Sequence, residues 1–385
     1  MFRGIKLFFR EISGFYRFFF KTSSMEKTIL FYSEHEGYYP YFEGIIEKLI
    51  GVHGKTLCYV TSDSNDPILK TSETRIKTFY IRNLLPFFML FIDCKVCVIT
   101  LTDLNQFHIK RAINAVHYVY VFHSPVSTHM MYREGAFDHY DSILCVGPHQ
   151  IQEIRKYEQQ HQLASKRLSE AGYYRLERIF NAHQRYTTYN PSPSKKETIL
   201  IAPSWGPKNI LESCGEKLVE LLLQAGYEVI VRPHPETVRR RPDILKALSV
   251  RFGKFPAFTL ELSVATDNSL LRSDVLICDC SGVALEYAFG TERPVLFFDV
   301  PLKIRNQKYR ELGIEPLEVL LRNQIGVIVS LKDLETIPEI ITKLRSESEV
   351  YKSRLARFRE KYVFAFGRSS HIGADWIVGV SEDAK

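Results

Sequence analysis

Three polar segments of this sequence each follow a short apolar run and carry side chains that could act on a phosphate group. Phe122-His123-Ser124 offers an imidazole, 232–235 (Arg-Pro-His-Pro) a guanidinium and a second imidazole, and 279–282 (Asp-Cys-Ser-Gly) a hydroxyl beside a glycine. An imidazole that titrates near neutrality can accept a proton from an attacking hydroxyl, and an arginine–histidine pair can donate hydrogen bonds to a diphosphate. Each segment also suits an ordinary strand-end loop, so residue types alone leave both interpretations open.

The segment 273–299 predicts how such side chains are positioned. Its apolar runs at 275–278 and 294–298 predict two buried strands, and the residues at 283–289 predict a short helix that Gly290 ends. A strand, a helix and a second strand in this order form the repeating unit of a parallel sheet.

The turn at 279–282 would then lie between the carboxyl end of a strand and the amino end of a helix. Backbone N–H groups and the helix dipole favour an anion at that position, and ligands of open α/β sheets bind at that edge. Ser281 would donate from its hydroxyl, and Gly282 would let the backbone approach a phosphate. Alternatively, Ser281 only caps the helix.

The rest of the chain predicts two α/β domains. Strand-like runs alternate with helix-length segments on both sides of residues 186–197, YTTYNPSPSKKE, whose proline, serine and charge are typical of a linker. A length of 385 residues with 45% hydrophobic and 25% charged residues suits two globular domains. We therefore expect Rossmann-like domains at 25–185 and 198–385, each with a doubly wound parallel sheet. A cleft between them would bring the three polar segments together.

Residues 1–24 have a different pattern, which predicts a basic amphipathic helix. Such a helix favours the headgroup region of an anionic membrane surface, and its charges recur too often for a segment that spans a bilayer. There are two alternatives: the helix packs on the first domain, or residues 1–24 are a disordered extension ahead of a start at Met25. On a helix the basic residues are Arg3, Lys6, Arg10, Arg17 and Lys21, and the apolar residues opposite them are Ile5, Phe8, Phe9, Ile12, Phe15, Tyr16 and Phe19.

The overall composition narrows the function classes only slightly. A net charge of +7 suits acidic partners without choosing among phosphates, anionic lipid and nucleic acid. No aromatic-basic RNA motif is present, so we expect no nucleic-acid partner. The seven cysteines are scattered, which favours reduced thiols, and the lone pair Cys94 and Cys97 suits core packing better than metal binding. The sequence has no P-loop, no G-x-G-x-x-G and no H-E-x-x-H motif.

Several of these motifs occur together in one known family. The strand-end histidine of the first half, Ala202-Pro203-Ser204-Trp205, the 232–235 loop and the blocks 273–283 and 293–299 resemble the CDP-glycerol glycerophosphotransferases. These are the teichoic acid primases and polymerases and their relatives in capsule polysaccharide synthesis. The resemblance extends from Thr28 to the C-terminus. It implies a GT-B fold with an N-terminal acceptor domain and a C-terminal nucleotide-donor domain, no cofactor, and peripheral attachment to the cytoplasmic face of the cell membrane.

The resemblance also implies a reaction and roles for individual residues. A hydroxyl of a glycan or lipid-linked acceptor attacks the β-phosphorus of CDP-glycerol and expels CMP, in a site that works by positioning and charge neutralisation. By motif, His123 would be the general base, and His234 with Arg232 would stabilise the diphosphate. No motif requires a divalent ion. The other implied donor-binding residues are Ser204, Trp205, Ser281, Gly282 and Glu286, with support from Asp138 and Asp279.

The sequence also departs from the family pattern. The family's Trp-His-Gly-Thr-Pro block, with a lysine soon after, is Phe-His-Ser-Pro-Val at 122–126, and its Asp-Tyr-Ser-Ser is Asp-Cys-Ser-Gly at 279–282. The transferred group is therefore open among glycerol phosphate, ribitol phosphate and a plain sugar. A GT-B glycosyltransferase that uses a nucleotide sugar, or a relative of the nucleotide-sugar 2-epimerases, is the second hypothesis. A non-enzymatic scaffold that binds lipid or nucleic acid is the third.

Overall fold

The structure, a computed structural model, describes residues 2–189, 196–263 and 266–383. Its strands form two sheets in which every neighbouring pair is parallel. The strands are β1 (Ile29–Ser33), β2 (Leu57–Thr61), β3 (Ile76–Tyr80), β4 (Val96–Ile99), β5 (His117–Val121), β6 (Ser142–Leu144), β7 (Arg167–Ser169), β8 (Thr198–Ile201), β9 (Glu228–Val231), β10 (Phe258–Leu260), β11 (Val275–Cys278), β12 (Val295–Phe298) and β13 (Gly326–Val329).

Both sheets have the doubly wound order that the sequence predicts. The first sheet runs β3-β2-β1-β4-β5-β6-β7 and the second runs β10-β9-β8-β11-β12-β13. In each sheet the first strand along the chain lies in the interior, and the strand order reverses beside it. This reversal is the topological switch point where ligands of open α/β sheets bind.

Helices precede, connect and follow these strands. They are α1 (Phe2–Lys21), α2 (Tyr39–Gly51), α3 (Leu85–Phe91), α4 (Thr128–Met131), α5 (Pro148–Gln160), α6 (Tyr174–Tyr189), α7 (Ile210–Ser213), α8 (Gly215–Gln224), α9 (Pro235–Arg240), α10 (Pro242–Phe252), α11 (Asn268–Arg272), α12 (Gly282–Thr291), α13 (Leu317–Leu320), α14 (Arg322–Ile325), α15 (Ile337–Ser346), α16 (Ser348–Tyr362) and α17 (Ser369–Asp383). Among the described residues, none of these helices is both long and apolar enough to cross a bilayer.

The chain forms two compact units whose limits differ from the predicted single boundary at 186–197. The first unit comprises the described residues up to His123, Tyr132–Tyr174 and those from Val363 onward, and the second comprises Ser124–Met131 and Arg175–Tyr362. Within the predicted linker, 186–189 form the last turn of α6 rather than a loop, and 190–195 lie outside the described residues.

The C-terminal helix α17 belongs to the first unit because its buried face completes that unit's core. Ala374, Ile377 and Val380 of α17 are buried in one cluster with Phe42 and Ile45 of α2. Burial of such apolar surface stabilises the packing of the two helices. A contact between residues more than 300 positions apart leaves no mark in a local sequence pattern.

Helix α1 confirms the predicted N-terminal helix and shows that one of its faces packs on the first unit. The Phe18 ring is fully buried, with ring centroids 5.4 Å from Phe79 and 4.7 Å from Phe88. The buried Glu11 accepts hydrogen bonds from the backbone N–H groups of Arg82 (2.6 Å) and Leu84 (2.7 Å). The helix is therefore anchored by apolar packing and by a buried carboxylate.

A second face of α1 remains exposed and apolar. Phe15 and Phe19, which the sequence analysis assigned to the lipid-facing side, are instead half-buried against Phe88. The basic residues Lys6, Arg10, Arg17 and Lys21 are exposed as well. Packing on the domain and an exposed amphipathic surface thus coexist on one helix. The exposed apolar side chains are Ile5, Phe8, Phe9, Ile12, Tyr16 and Phe20.

Candidate active site

The polar segments of the second unit lie at one edge of its sheet. Strands β9, β8, β11 and β12 are consecutive neighbours and all parallel, so their carboxyl ends share that edge. Ser204 follows β8, His234 follows β9 and Ser281 follows β11. The fold therefore brings together three of the predicted site segments, at the edge where this class of sheet binds ligands.

Asp279 joins two of these loops. Its buried carboxylate accepts hydrogen bonds from the Ser204 backbone N–H (2.8 Å) and from the Ser204 hydroxyl (3.0 Å). Burial raises the pKa of the Asp279 carboxyl, and the hydrogen bonds from Ser204 act in the opposite direction. Since the Ser204 hydroxyl already donates to Asp279, this pair positions the loops after β8 and β11.

Helix α12 begins directly after this link. Ser281 is its N-cap residue with extended backbone, and the Ser281 side chain makes no capping hydrogen bond. The alternative role of Ser281 as a side-chain cap is therefore not observed. Gly282 allows the Ser124 side chain to approach the backbone closely, because a Cβ at position 282 would collide with the Ser124 hydroxyl.

His234 is held in one orientation at the start of α9. Its Nδ1 accepts a hydrogen bond from the Glu236 backbone N–H (3.1 Å), and Pro235 occupies the first turn. A neutral imidazole that accepts at Nδ1 carries its proton on Nε2. The ring is thus set to donate from Nε2, which is the role expected of a group that stabilises a phosphate.

Trp205 lies beside His234 and is surrounded by cations that the sequence analysis missed. The centroid of the indole ring is 6.1 Å from that of His234 and 4.6 Å from the Lys303 Nζ, and the guanidinium carbons of Arg240 and Arg305 lie at 5.1 and 5.6 Å. Lys303 and Arg305 lie in the loop after β12. The sequence pattern that could have identified them is a pair of basic residues just after the predicted strand at 294–298.

Arg232 and Glu286, two predicted donor-binding residues, lie in a buried charge network. Arg175 pairs with Glu286 (Nε to Oε1, 3.2 Å) and with Asp267 (Nη2 to Oδ1, 3.1 Å). Arg232 donates to the Ser269 hydroxyl (3.1 Å), and its pKa is lowered by burial and then by the neighbouring Arg175. These contacts support a structural role, and a role in donor binding stays a prediction.

His123 lies in the first unit, directly after β5, and is half-buried among tyrosine rings. The centroids of Tyr38, Tyr41 and Tyr132 lie 5.6, 6.2 and 6.2 Å from that of His123, each edge-on. A small cavity with Tyr41 and Phe122 in its wall lies in the same unit. The imidazole therefore stands at a strand end in an aromatic setting, which suits a positioned base.

Asp138, the other predicted supporting residue, is half-buried in the first unit. Burial raises the pKa of the Asp138 carboxyl, and the nearby Lys166 lowers it in part. Within residues 2–189, 196–263 and 266–383, no cluster of three metal-ligating side chains is present.

Comparison with known families decides the identity of this architecture. The sequence profile of the CDP-glycerol:poly(glycerophosphate) glycerophosphotransferases matches residues 15–371. The chain belongs to this family. The predicted resemblance is therefore confirmed, and the protein is an enzyme of the CDP-glycerol glycerophosphotransferase type. No curated protein sequence matches the chain.

Solved structures agree with the family at the level of the fold. The wall teichoic acid polymerase TagF matches with a TM-score of 0.64 and 16% identity over 98% of both chains. A putative UDP-N-acetylglucosamine 2-epimerase from Listeria monocytogenes matches with a TM-score of 0.56 and 12% identity, covering 89% of this chain and 93% of its own. The predicted GT-B class, two doubly wound α/β domains, is confirmed.

Proposed function

We propose that this member of the CDP-glycerol glycerophosphotransferase family transfers a polyol phosphate, glycerol phosphate in the simplest case, from a CDP-activated donor to a glycan or lipid-linked acceptor. The observation that carries the proposal is the cation-rich strand edge around Trp205 in a chain that matches this family over residues 15–371. A histidine variant of TagF has been solved after a soak with CDPG, which supports the same kind of donor here.

The proposed step is an in-line displacement at phosphorus. An acceptor hydroxyl attacks the β-phosphorus, a new P–O bond forms, and the bond from the β-phosphorus to the bridging oxygen breaks, so that CMP leaves with the electron pair. His123 accepts the proton of the attacking hydroxyl. His234 donates from Nε2 to the phosphate oxygens, and the first turn of α12 adds backbone donors. We propose no cofactor, because positioning and neutralisation by these groups suffice.

The direct test supplies CDP-glycerol, CDP-ribitol and UDP-sugars in parallel, each with a saccharide acceptor. We expect CMP release from a CDP-polyol together with a new phosphodiester resonance in the ³¹P NMR spectrum of the acceptor. Release of UDP, or inversion at C2 of a UDP-N-acetyl sugar, would instead support the glycosyltransferase or epimerase alternative. Cell-surface polysaccharide synthesis of the teichoic acid kind is the pathway class that this product would serve.

We further propose that α1 holds the enzyme peripherally on an anionic membrane, at the cytoplasmic face where CDP-activated donors are available. Phe9 and Phe20 of α1 are 65% and 70% exposed, and they share this exposed surface with Lys6 and Lys21. An exposed apolar face beside a basic one is the pattern of helices that lie in the headgroup region.

Replacing Phe9 and Phe20 by serine is expected to weaken binding to phosphatidylglycerol vesicles about tenfold per phenylalanine, because each ring would lose most of its burial in lipid. Vesicle co-sedimentation measures this, with Val250→Ser as the control because Val250 is equally exposed but lies in the second unit. Unchanged sedimentation of the double variant would contradict membrane attachment through α1. Because both rings are exposed, the melting temperature should stay constant.

A further inference from the structure

Three cations surround one indole ring at the carboxyl edge of the second sheet. We call Trp205, Arg240, Lys303 and Arg305 the Trp205 cluster. Each cation lies between 4.6 and 5.6 Å from the ring centroid. No two of them can therefore be much more than about 10 Å apart, which is the Debye length at 0.1 M salt, so their charges repel one another.

The carboxylates nearby do not balance this charge. Glu236 pairs with Arg240 (2.6 Å), but Arg239 shares the same Glu236 oxygen (2.7 Å). In the described part of the chain, no carboxylate lies within 4 Å of the charged nitrogens of Lys303 or Arg305. Attraction to the indole face can stabilise a cation, but it adds no negative charge. The cluster as a whole is thus a positively charged site built on three segments of one unit, namely the loop after β8, α9 and the loop after β12.

The surroundings of Lys303 agree with a site that is completed by an anion. Burial, followed by repulsion from Arg305, lowers the pKa of the Lys303 ammonium to about 8, while Asp279, Cys280 and Glu236 act in the opposite direction. A bound anion would add a favourable charge and raise this pKa again. An ammonium group that merely faced water would not show such a depression.

We propose that the Trp205 cluster is the diphosphate-binding site of the enzyme, with Lys303 and Arg305 as its main cationic ligands. The family motif assigns the diphosphate to His234 with Arg232, but Arg232 lies in a buried network with Arg175 and Ser269. The inference rests on the proposed function for the identity of the nucleotide, but the chemistry of the cluster requires only a diphosphate.

The position in the fold favours a diphosphate over other anions. Trp205 follows β8, His234 follows β9, and Lys303 follows β12, all at the edge where the first turn of α12 also presents backbone N–H groups. Several donors spread over neighbouring strand ends match two linked phosphates better than one. Lys303 and Arg305 would also neutralise the charge that develops on the leaving phosphate when the P–O bond breaks.

The proposal predicts a specific loss of affinity. In Lys303→Met and Arg305→Met, the Kd for CDP and for inorganic pyrophosphate should rise about ten- to hundredfold, the range expected for loss of one charge-assisted contact. Affinity for cytidine, which has no phosphate, should not change. Isothermal titration calorimetry measures all three ligands, and quenching of Trp205 fluorescence gives a second readout. Lys308→Met is the matched control, because Lys308 is an exposed lysine of the same loop.

The pH dependence separates a binding role from a structural one. The diphosphate needs the protonated ammonium, so its affinity should fall as the pH rises through about 8, the pKa of free Lys303. Lys303→Arg should restore binding and abolish this dependence, because a guanidinium stays charged above pH 9. The other charged or titratable groups that face Lys303 are Glu236, Arg240, Asp279, Cys280 and Arg305.

The possible results distinguish this inference from the proposed function. Wild-type affinity for CDP and pyrophosphate in both methionine variants would overturn the cluster as the diphosphate site, even if CDP-glycerol proved to be the donor. Weakened pyrophosphate binding in both variants would support the cluster, even if the donor proved to be a UDP-sugar. A wild-type protein that binds neither pyrophosphate nor CDP would overturn the inference outright.

Discussion

In the variant His123→Ala, turnover of CDP-glycerol is expected to fall about 10²- to 10⁴-fold, the range for loss of a general base. The affinity for CDP should stay close to that of the wild type. His123 lies in the first unit, whereas the residues proposed to bind the diphosphate lie in the second. Initial rates of CMP release and calorimetric titration with CDP separate these two quantities. The acidic limb of the pH–rate profile should disappear together with the base.

The control for this prediction is His161→Ala. His161 is an exposed histidine of the same unit, at the end of α5, so its removal should leave both turnover and affinity unchanged. A His123 variant that kept wild-type turnover would exclude the imidazole as the base. A variant that lost CDP affinity and turnover in parallel would assign His123 to donor binding instead.

The part of the fold that the sequence predicted best is local in the chain. The run 275–278 matches β11, and the segment 283–289 lies inside α12, because burial and helix periodicity are set by neighbouring residues. The sequence analysis wrongly placed α17 in the second domain, whereas the structure places this helix in the first unit. Its partner helix α2 is encoded at the other end of the chain, and no local pattern records that contact.

The candidate site shows the same division. Asp279 and Ser281 belong to a turn that was predicted from its strand-end position, and Ser204 was predicted from the family resemblance. The structure brings their loops together at one sheet edge. Lys303 and Arg305 were missed because a basic residue in a loop resembles any solvated charge until its neighbours are known. Lys303 and Arg305 lie about 100 residues after Trp205 in the sequence, and only the folded chain brings them next to its ring.

The family motif predicts that Glu286 binds the donor, but its ion pair with Arg175 supports a structural role. Glu286 has only 8% of its side chain exposed, and it pairs with Arg175, which is equally buried. Removal of one partner from a buried ion pair leaves a charge without compensation, which typically costs about 3–5 kcal/mol. Replacement by glutamine keeps the shape and one acceptor oxygen but removes the charge.

For Glu286→Ala we therefore expect a fall of about 6–20 °C in the melting temperature of the second unit, from the cost of a broken buried pair at the slope for 150–250 residues. Glu286→Gln should show a smaller fall, and both variants should retain wild-type affinity for CDP while folded. Differential scanning calorimetry and titration at low temperature measure the two effects. Glu335→Ala is the control, because the pair of Glu335 with Lys217 is exposed and should contribute little. If Glu286→Gln instead kept the wild-type melting temperature and lost CDP affinity, the carboxylate would belong to the donor site, and the motif would have identified its role correctly.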